Sequence, residues 1–504
     1  MEFKTETANV LLYETGTCAT ECPVDGEYVL PDYCADIAAV LKCTMTPRVL
    51  ARRIGGDKLV VEGETAVCVL YLDEGRKCVH TFECVQPFTC ALPWEDDDGK
   101  MPYITAKVNY LNCRATSPRR ISIHGTLSAC CQQEKKRSMD VLTKVTGDAV
   151  YCKQDTLCYT TPLCNAEKVF SIKETVDVGV NKPPIQRVVR ASCVAVVDSV
   201  KPLTDKAIVK GKAVVRTLYV VNTEEGRTAC ATHEFPFSQI IDVQGLLEEH
   251  ILTAHVDVLG CDVGVQSDGN GNGTLLSVQL KMCVRLDVTA CEKVTVLTDA
   301  YTGKYPCHTT TSPLSAEQLL FSCQNTTTLK EILDFPTNSV AEIVDLWCEV
   351  ISLATRQEPH NSYIDGRLQI SMLTRDSDGF VSYYEHVGDF VLQYTETCDR
   401  LHAEVSVVET DYAVVGGKIE IRMELAVLRC GYAQQACACV CGFETEAQPF
   451  SDEKAALRIC RGKKGDSVWE IAKACHTAVD AVMEENALSD ECLLEDMVLL
   501  IPLC

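Results

Sequence analysis

The chain has 504 residues, 46% of them hydrophobic, and a formal net charge of −24 from 71 acidic and 47 basic residues. That length allows about three to four domains, and that apolar content allows packed cores, which excludes disorder throughout. The acidity repels phosphate backbones and anionic bilayers, excluding nucleic acid as a partner, and the lack of an 18-residue apolar run excludes membrane insertion by a helix.

The N-terminus, MEFKTETANVLLYETG, has no basic start followed by an apolar core, so the expectation is a protein that stays in the cytosol. Its 31 cysteines are then reduced thiols. Many, such as Cys68 and Cys283, stand at apolar strand positions, where cysteine serves as a small core hydrophobe. Cross-linking by an exposed minority and metal binding are the alternatives. No CxxC pair occurs. The densest group, Cys437-Ala-Cys439-Val-Cys441, would put three thiols on one face of a strand, which alternation explains without a metal. No cofactor is expected.

One stretch recurs three times, as Lys58 to Phe88, Ala207 to Phe237 and Ser362 to Phe390. Its glycines Gly63, Gly211 and Gly366 stand 148 (211 − 63) and 155 (366 − 211) positions apart. The closing Phe88, Phe237 and Phe390 follow them by 25, 26 and 24. A period of about 150 residues is too long for a solenoid repeat and suits one domain. Val, Ile, Thr and Tyr recur with period two in all three copies, the mark of half-buried antiparallel strands. The expected fold class is mainly β: three tandem antiparallel β-sandwich-like domains, then a small module of different character.

In chain order, the first copy spans 1–135. Pro31-Asp32 opens a turn, the run from Asp36 to Leu41 offers a short helix, and Trp94 to Lys100 is an acidic loop. Ile104 to Leu111 and Ile121 to Ala129 read as strands joined at Ser117-Pro118. Residues 136–158, beginning with charged EKKRS, read as a connector. The second copy, 159–308, has a β-rich lead-in from Arg190 to Val200 and a flexible turn at Asp268-Gly-Asn-Gly-Asn-Gly. That turn has one carboxylate, too few for a calcium loop. The third copy, 313–443, ends in two strands around Gly416-Gly417. A polar linker with Pro449 follows over 444–456.

The last unit, 457–504, reads strand, helix, helix, strand: Leu457 to Arg461, a helix capped by Asp466 or Ser467, a second over Val479 to Glu485 stopped at Asn486, and Met497 to Ile501. It resembles a LysM domain. Gly465-Asp466-Ser467 is similar to that family's Gly-Asp-Thr/Ser turn, Ile471-Ala472 to its helix pair, Asn486 to its Asn, and Leu499-Leu500-Ile501-Pro502 to its closing L-x-I-P. Cys460 stands where an aromatic is common, and Glu495-Asp496 replaces the usual Gly-Gln. The resemblance implies a shallow groove for N-acetylglucosamine-containing glycan or a protein partner. Its walls would be Gly465, Asp466, Ser467 and Val468 on one loop and Asn486, Ala487, Leu488, Ser489 and Asp490 on the other, with Ile501 and Pro502 beside them.

The upstream copies resemble the SPOCS repeat. The residues that carry this are KLVVEGETAVCVLYLDEG with its later Pro-Phe, the preceding LPD…DI element, and Glu292 to Pro306 with Thr298-Asp299-Ala300-Tyr301. In the third copy Met372-Leu373-Thr374 stands in place of the Leu-Tyr pair. Three such units before one LysM domain resemble the SipL-type spore-coat morphogenetic proteins of endospore-forming bacteria. That resemblance implies a non-catalytic scaffold on the mother-cell side, tethering the coat to the forespore surface. Its implied partner is the morphogenetic ATPase of the coat's basement layer. The alternatives are an exported peptidoglycan- or chitin-type glycan-binding protein and a LysM-targeted cell-wall hydrolase. The ten histidines form no HExxH, and there is no phosphate-binding loop or dinucleotide fingerprint, so no enzyme is expected.

Overall fold

The structure is a computed structural model that describes residues 3–94, 102–179, 184–222, 227–267, 273–334, 340–415, 417–450 and 457–502, with the backbone alone for 14, 15 and 132–135. The acidic loop beyond Trp94, the Asp268 turn up to residue 272, Gly416 and the linker from 451 lie outside those residues.

Unit 1 comprises β1 (Lys4–Val29), β2 (Ala39–Gly55), β3 (Lys58–Leu72), β4 (Val79–Pro93), β5 (Ile104–Ser117) and β6 (Arg120–Thr146). Unit 2 repeats this as β7 (Val150–Asp177), β8 (Ile185–Leu203), β9 (Lys206–Val221), β10 (Thr228–Asp242), β11 (Ile251–Gln266) and β12 (Leu275–Thr302). Unit 3 follows as β13 (Cys307–Asp334), β14 (Glu342–Glu358), β15 (Asn361–Arg375), β16 (Val381–Tyr394), β17 (Arg400–Val415) and β18 (Lys418–Thr445). Each unit is two antiparallel three-stranded sheets. Its second, third and fourth strands form a meander, and its first strand pairs with its last, which also carries the fifth, as in the orders β2-β3-β4 and β1-β6-β5. The two sheets enclose one apolar core per unit, so the architecture is three tandem sandwiches.

The recurrent stretch is the central hairpin of each meander. Gly63 lies directly opposite Phe88, Gly211 opposite Phe237, and Gly366 opposite Phe390. Each phenyl ring covers the strand where the glycine has no side chain; a Cβ there would collide with the ring. Along β3 burial alternates residue by residue and then becomes continuous over Val69–Leu72. The reason is tertiary: Leu70, Leu218 and Leu373, equivalent positions of the three copies, meet in one cluster with Val189, Val344 and Trp347. Both faces of the strand are covered there.

The first and last strands of each unit run beyond its sandwich as two-stranded ribbons. Val10 and Val141 of the first ribbon, Leu157 and Val296 of the second, and Leu314 and Cys439 of the third share one apolar cluster. The ribbons thus form a stem common to all three units. This corrects the reading of 136–158 as a connector: Lys136–Thr146 completes β6 and Val150–Cys158 begins β7. The charged run hides the strand, but β1 pairs with it throughout, from Tyr13 opposite Lys136 to Lys4 opposite Thr146. Drawn by strand pairing, the units run 4–146, 150–302 and 307–445.

The helix expected over Asp36–Leu41 is absent. The Ile37 amide donates to Pro118 O, the Ala38 amide to Leu72 O, and β2 starts at Ala39. Arg119 fixes the bend by donating to the carbonyls of Leu30, Pro31 and Cys34 and to the Asp36 carboxylate. A short apolar run goes to whichever backbone partner is present, and here that is the end of β3. The turn at Pro31-Asp32 forms, closed by the Cys34 amide on Pro31 O.

Candidate functional site

The terminal module is β19 (Leu457–Gly462), α1 (Val468–Ala474), α2 (Val479–Glu485) and β20 (Met497–Pro502), with β19 and β20 paired antiparallel. Val468, Ala472, Val482, Leu493, Leu499 and Ile501 form its core. Two seven-residue helices are too short to stand alone in water, so packing holds them.

Gly465 takes φ +92° at the turn into α1, a conformation that suits glycine. Neither Asp466 nor Ser467 caps α1 with its side chain. The Asp466 carboxylate instead accepts the Lys463 amide at 2.8 Å, closing the loop on itself. Asn486 ends α2 at φ −106°, so the left-handed residue is Ala487, at φ +52°. The Asn486 amide group donates to Val482 O and Leu500 O and accepts the Leu500 amide at 2.7 Å, tying α2 to β20.

Of the expected groove residues, Gly465, Asp466, Ala487, Ser489 and Asp490 are exposed, and Ser467, Asn486, Leu488 and Pro502 are half-buried. Val468 and Ile501 are fully buried core residues with no surface to offer a ligand. The first loop is zipped to a segment just beyond the expected second wall. The Gly465 amide donates to Leu493 O, Val468 to Glu491 O, and Leu493 to Asp466 O, each at 2.8–2.9 Å, and the Lys464 amide donates to the Asp496 carboxylate. Glu491 to Leu493 and Asp496 were not among the expected residues. Leu493 had a signal, as an apolar residue that has to find a core.

The module sits on the tip of the stem. Asp299, near the end of β12, accepts Trp469 Nε1 at 2.8 Å and Lys473 Nζ at 2.7 Å. Tyr301 packs edge-on against the Trp469 ring and donates its hydroxyl to Thr477 O at 2.7 Å; burial pushes that phenol well above its ordinary pKa. The Phe450 ring stacks on His476, and its amide donates to Lys304 O. These contacts use the helix side of the module and leave the exposed loop residues outward. Two chemistries meet in this seat, an apolar cluster and a half-buried ion pair, and the second fixes orientation because hydrogen bonds are directional.

Other constellations carry less. Cys437 and Cys439 are in sulfur contact at 3.3 Å, but a bulge opposite Thr310 and Thr311 takes Cys441 out of phase, and its thiol turns to Thr310 O. Among the described residues no group of three or more His, Cys, Asp and Glu is placed to hold a metal ion. Ser122 Oγ lies 3.1 Å from His124 Nε2, and His124 Nδ1 lies 3.0 Å from Asp25. However, Ser122 is buried on the middle strand of its sheet, paired with both Glu27 and Arg114, so no backbone donors are left to stabilise an oxyanion. A cavity of about 820 Å³ opens between the three units. Its charges largely serve one another: His255 Nδ1 lies 3.3 Å from Glu404, and Tyr103 donates to Asp257. No helix of the described residues is long and apolar enough to cross a membrane.

Comparison with known families now adds to this geometry. Residues 36–116 and 184–266 match the family described as SipL, SPOCS domain, and residues 463–502 match the LysM domain. The first two spans run from the approach to β2 through most of β5, and from the approach to β8 to the end of β11. No curated protein and no solved structure matches the chain. SPOCS and LysM are non-catalytic domain families, and together they fit a sporulation-related, peptidoglycan-binding protein.

Proposed function

We propose that this chain, with its two SPOCS-domain matches and its C-terminal LysM domain, is a non-catalytic scaffold of endospore coat assembly. It works in the mother-cell cytoplasm at the forespore surface and tethers the coat there through protein–protein contacts. The LysM module is its binding end, and the partner is the morphogenetic ATPase of the coat's basement layer. The observation that supports this reading most is the seat of the module. Asp299 and Tyr301 hold its helix side on the stem, while Gly465, Asp466, Ala487, Ser489 and Asp490 face out. A binding head fixed to three sandwiches offers a large, rigid surface, which suits a tether.

A second reading, glycan binding, is favoured by the LysM match itself. LysM domains bind glycans such as N-acetylglucosamine-containing peptidoglycan. Titrating the full chain with that ATPase, and separately with N-acetylglucosamine oligomers, tests the two readings. The scaffold reading expects saturation by the ATPase and no heat from millimolar sugar.

A further inference from the structure

The two sheets of each sandwich approach each other along one side through their edge strands: β2 with β5, β8 with β11, and β14 with β17. In unit 1, Cys43 on β2 stands opposite Val69, Cys113 on β5 stands opposite Ile123, and the two side chains pack on one core and interact there. In unit 2, Cys193 on β8 stands opposite Val215, Cys261 on β11 stands opposite Leu280, and these side chains likewise pack on one core and interact. The pairs occupy the same side one pleat apart. The repeat places Val67 at the position of Val215 (215 − 148 = 67), two residues from the Val69 that faces Cys43.

Unit 3 has the site without the second sulfur. Cys348 faces Ile370, the counterpart of Val215 (215 + 155 = 370). Thr410 on β17 faces Met423 of β18, five residues into that strand, as Leu280 lies five residues into β12. Cys348 and Thr410 interact there.

We propose that Cys43–Cys113 and Cys193–Cys261 are oxidative modification sites, each closing to a disulfide that staples the two sheets of its unit, while unit 3 stays unstapled. All four cysteines are half-buried, so a small oxidant can reach them, whereas Cys348 is buried. In each pair that interaction lowers the pKa of Cys113 and Cys261 and raises that of Cys43 and Cys193, which makes the first-named thiols the readier to ionise. With a low-molecular-weight disulfide such as oxidised glutathione, the Cys113 thiolate attacks one sulfur and expels a glutathione thiolate. Cys43 then gives up its proton, attacks the mixed disulfide at Cys113 and expels the second. Two electrons and two protons leave the protein pair, and two glutathione thiols form.

The test uses the reduced full chain, exposed to oxidised glutathione, alkylated, and mapped as peptides without reduction. The expected result is Cys43 linked to Cys113 and Cys193 linked to Cys261 within one chain, with Cys348 unlinked. Cys43→Ser and Cys193→Ser, which keep a hydrogen-bond donor, each remove one linkage and leave the other. Thr410→Cys gains a third linkage, to Cys348. Two results would overturn the proposal: alkylation of all four sulfurs after the exposed Cys291, Cys441 and Cys492 have reacted, or linkage of the four to other cysteines or between chains.

Discussion

Arg429 and Glu396 show how one ion pair contributes to the acid sensitivity of unit 3. Arg429 is buried, lies over the Tyr394 ring, and donates two hydrogen bonds to the Glu396 carboxylate. Those bonds hold the Glu396 pKa below its ordinary value of 4.5. The depressed acid favours the folded state above pH 4.5, and that contribution is lost as pH falls through the lower folded pKa. Glu396 is partly exposed, so the pair contributes at most about 1 kcal/mol. Urea midpoints of the wild type and Glu396→Gln are expected to differ at pH 7 and to converge towards pH 3. Asp299 matters more, because it fixes the module. Asp299→Ala leaves the Trp469 indole and the Lys473 ammonium without their shared acceptor and costs the seat about 1.5–3 kcal/mol. The expected reading is a red shift of Trp469 emission and faster amide exchange in α1, with Asp299→Asn intermediate.

Among the elements, the central hairpins carry the repeat. At Gly211 an added Cβ would meet Val196 O on one side and the Phe237 ring on the other, so Gly211→Ala costs about 1–3 kcal/mol by overpacking. Phe237→Ala empties the core side and costs about 3–5 kcal/mol. The two changes together should cost less than their sum in urea unfolding, because each relieves what the other disturbs. The glycine-to-phenylalanine spacing of these hairpins was legible in the sequence, because a hairpin is a local object and period-two burial marks its strands. The long ribbons were not. Polar and charged residues dominate Glu134 to Arg137, so no alternation shows there, and only pairing with β1 makes a strand of them. The helix proposed at Asp36 failed for the converse reason, since an apolar run lacks a distinguishing period when it is short.

Across the whole molecule, the units are locked by contacts between residues far apart in the chain. Asp345 of unit 3 is fully buried between Arg190 and Arg216 of unit 2, with Arg216 Nε at 2.7 Å, and Arg190 lies over Trp347. Removing one member of such a group strands the others, so Asp345→Ala costs about 3–5 kcal/mol and lowers the unfolding midpoint accordingly. None of this could be read from one chain without coordinates. The LysM motif could, because its turn, helix pair and closing strand are contiguous. Val468 and Ile501 were misread as ligand contacts because a motif does not separate framework from surface. The partner of Trp469, 170 residues away at Asp299, had no local signal at all.

On the proposed function, the outward loops of the docked LysM module are what the basement-layer ATPase would bind. The direct measurement is the affinity of the full chain for that ATPase, beside Ser489→Arg and Asp490→Arg, which alter exposed positions without touching the core. The expected result is saturable binding by the wild type and at least a tenfold loss, about 1.4 kcal/mol or more, in both variants. Wild-type affinity in both variants, or no binding by the intact chain, would contradict it.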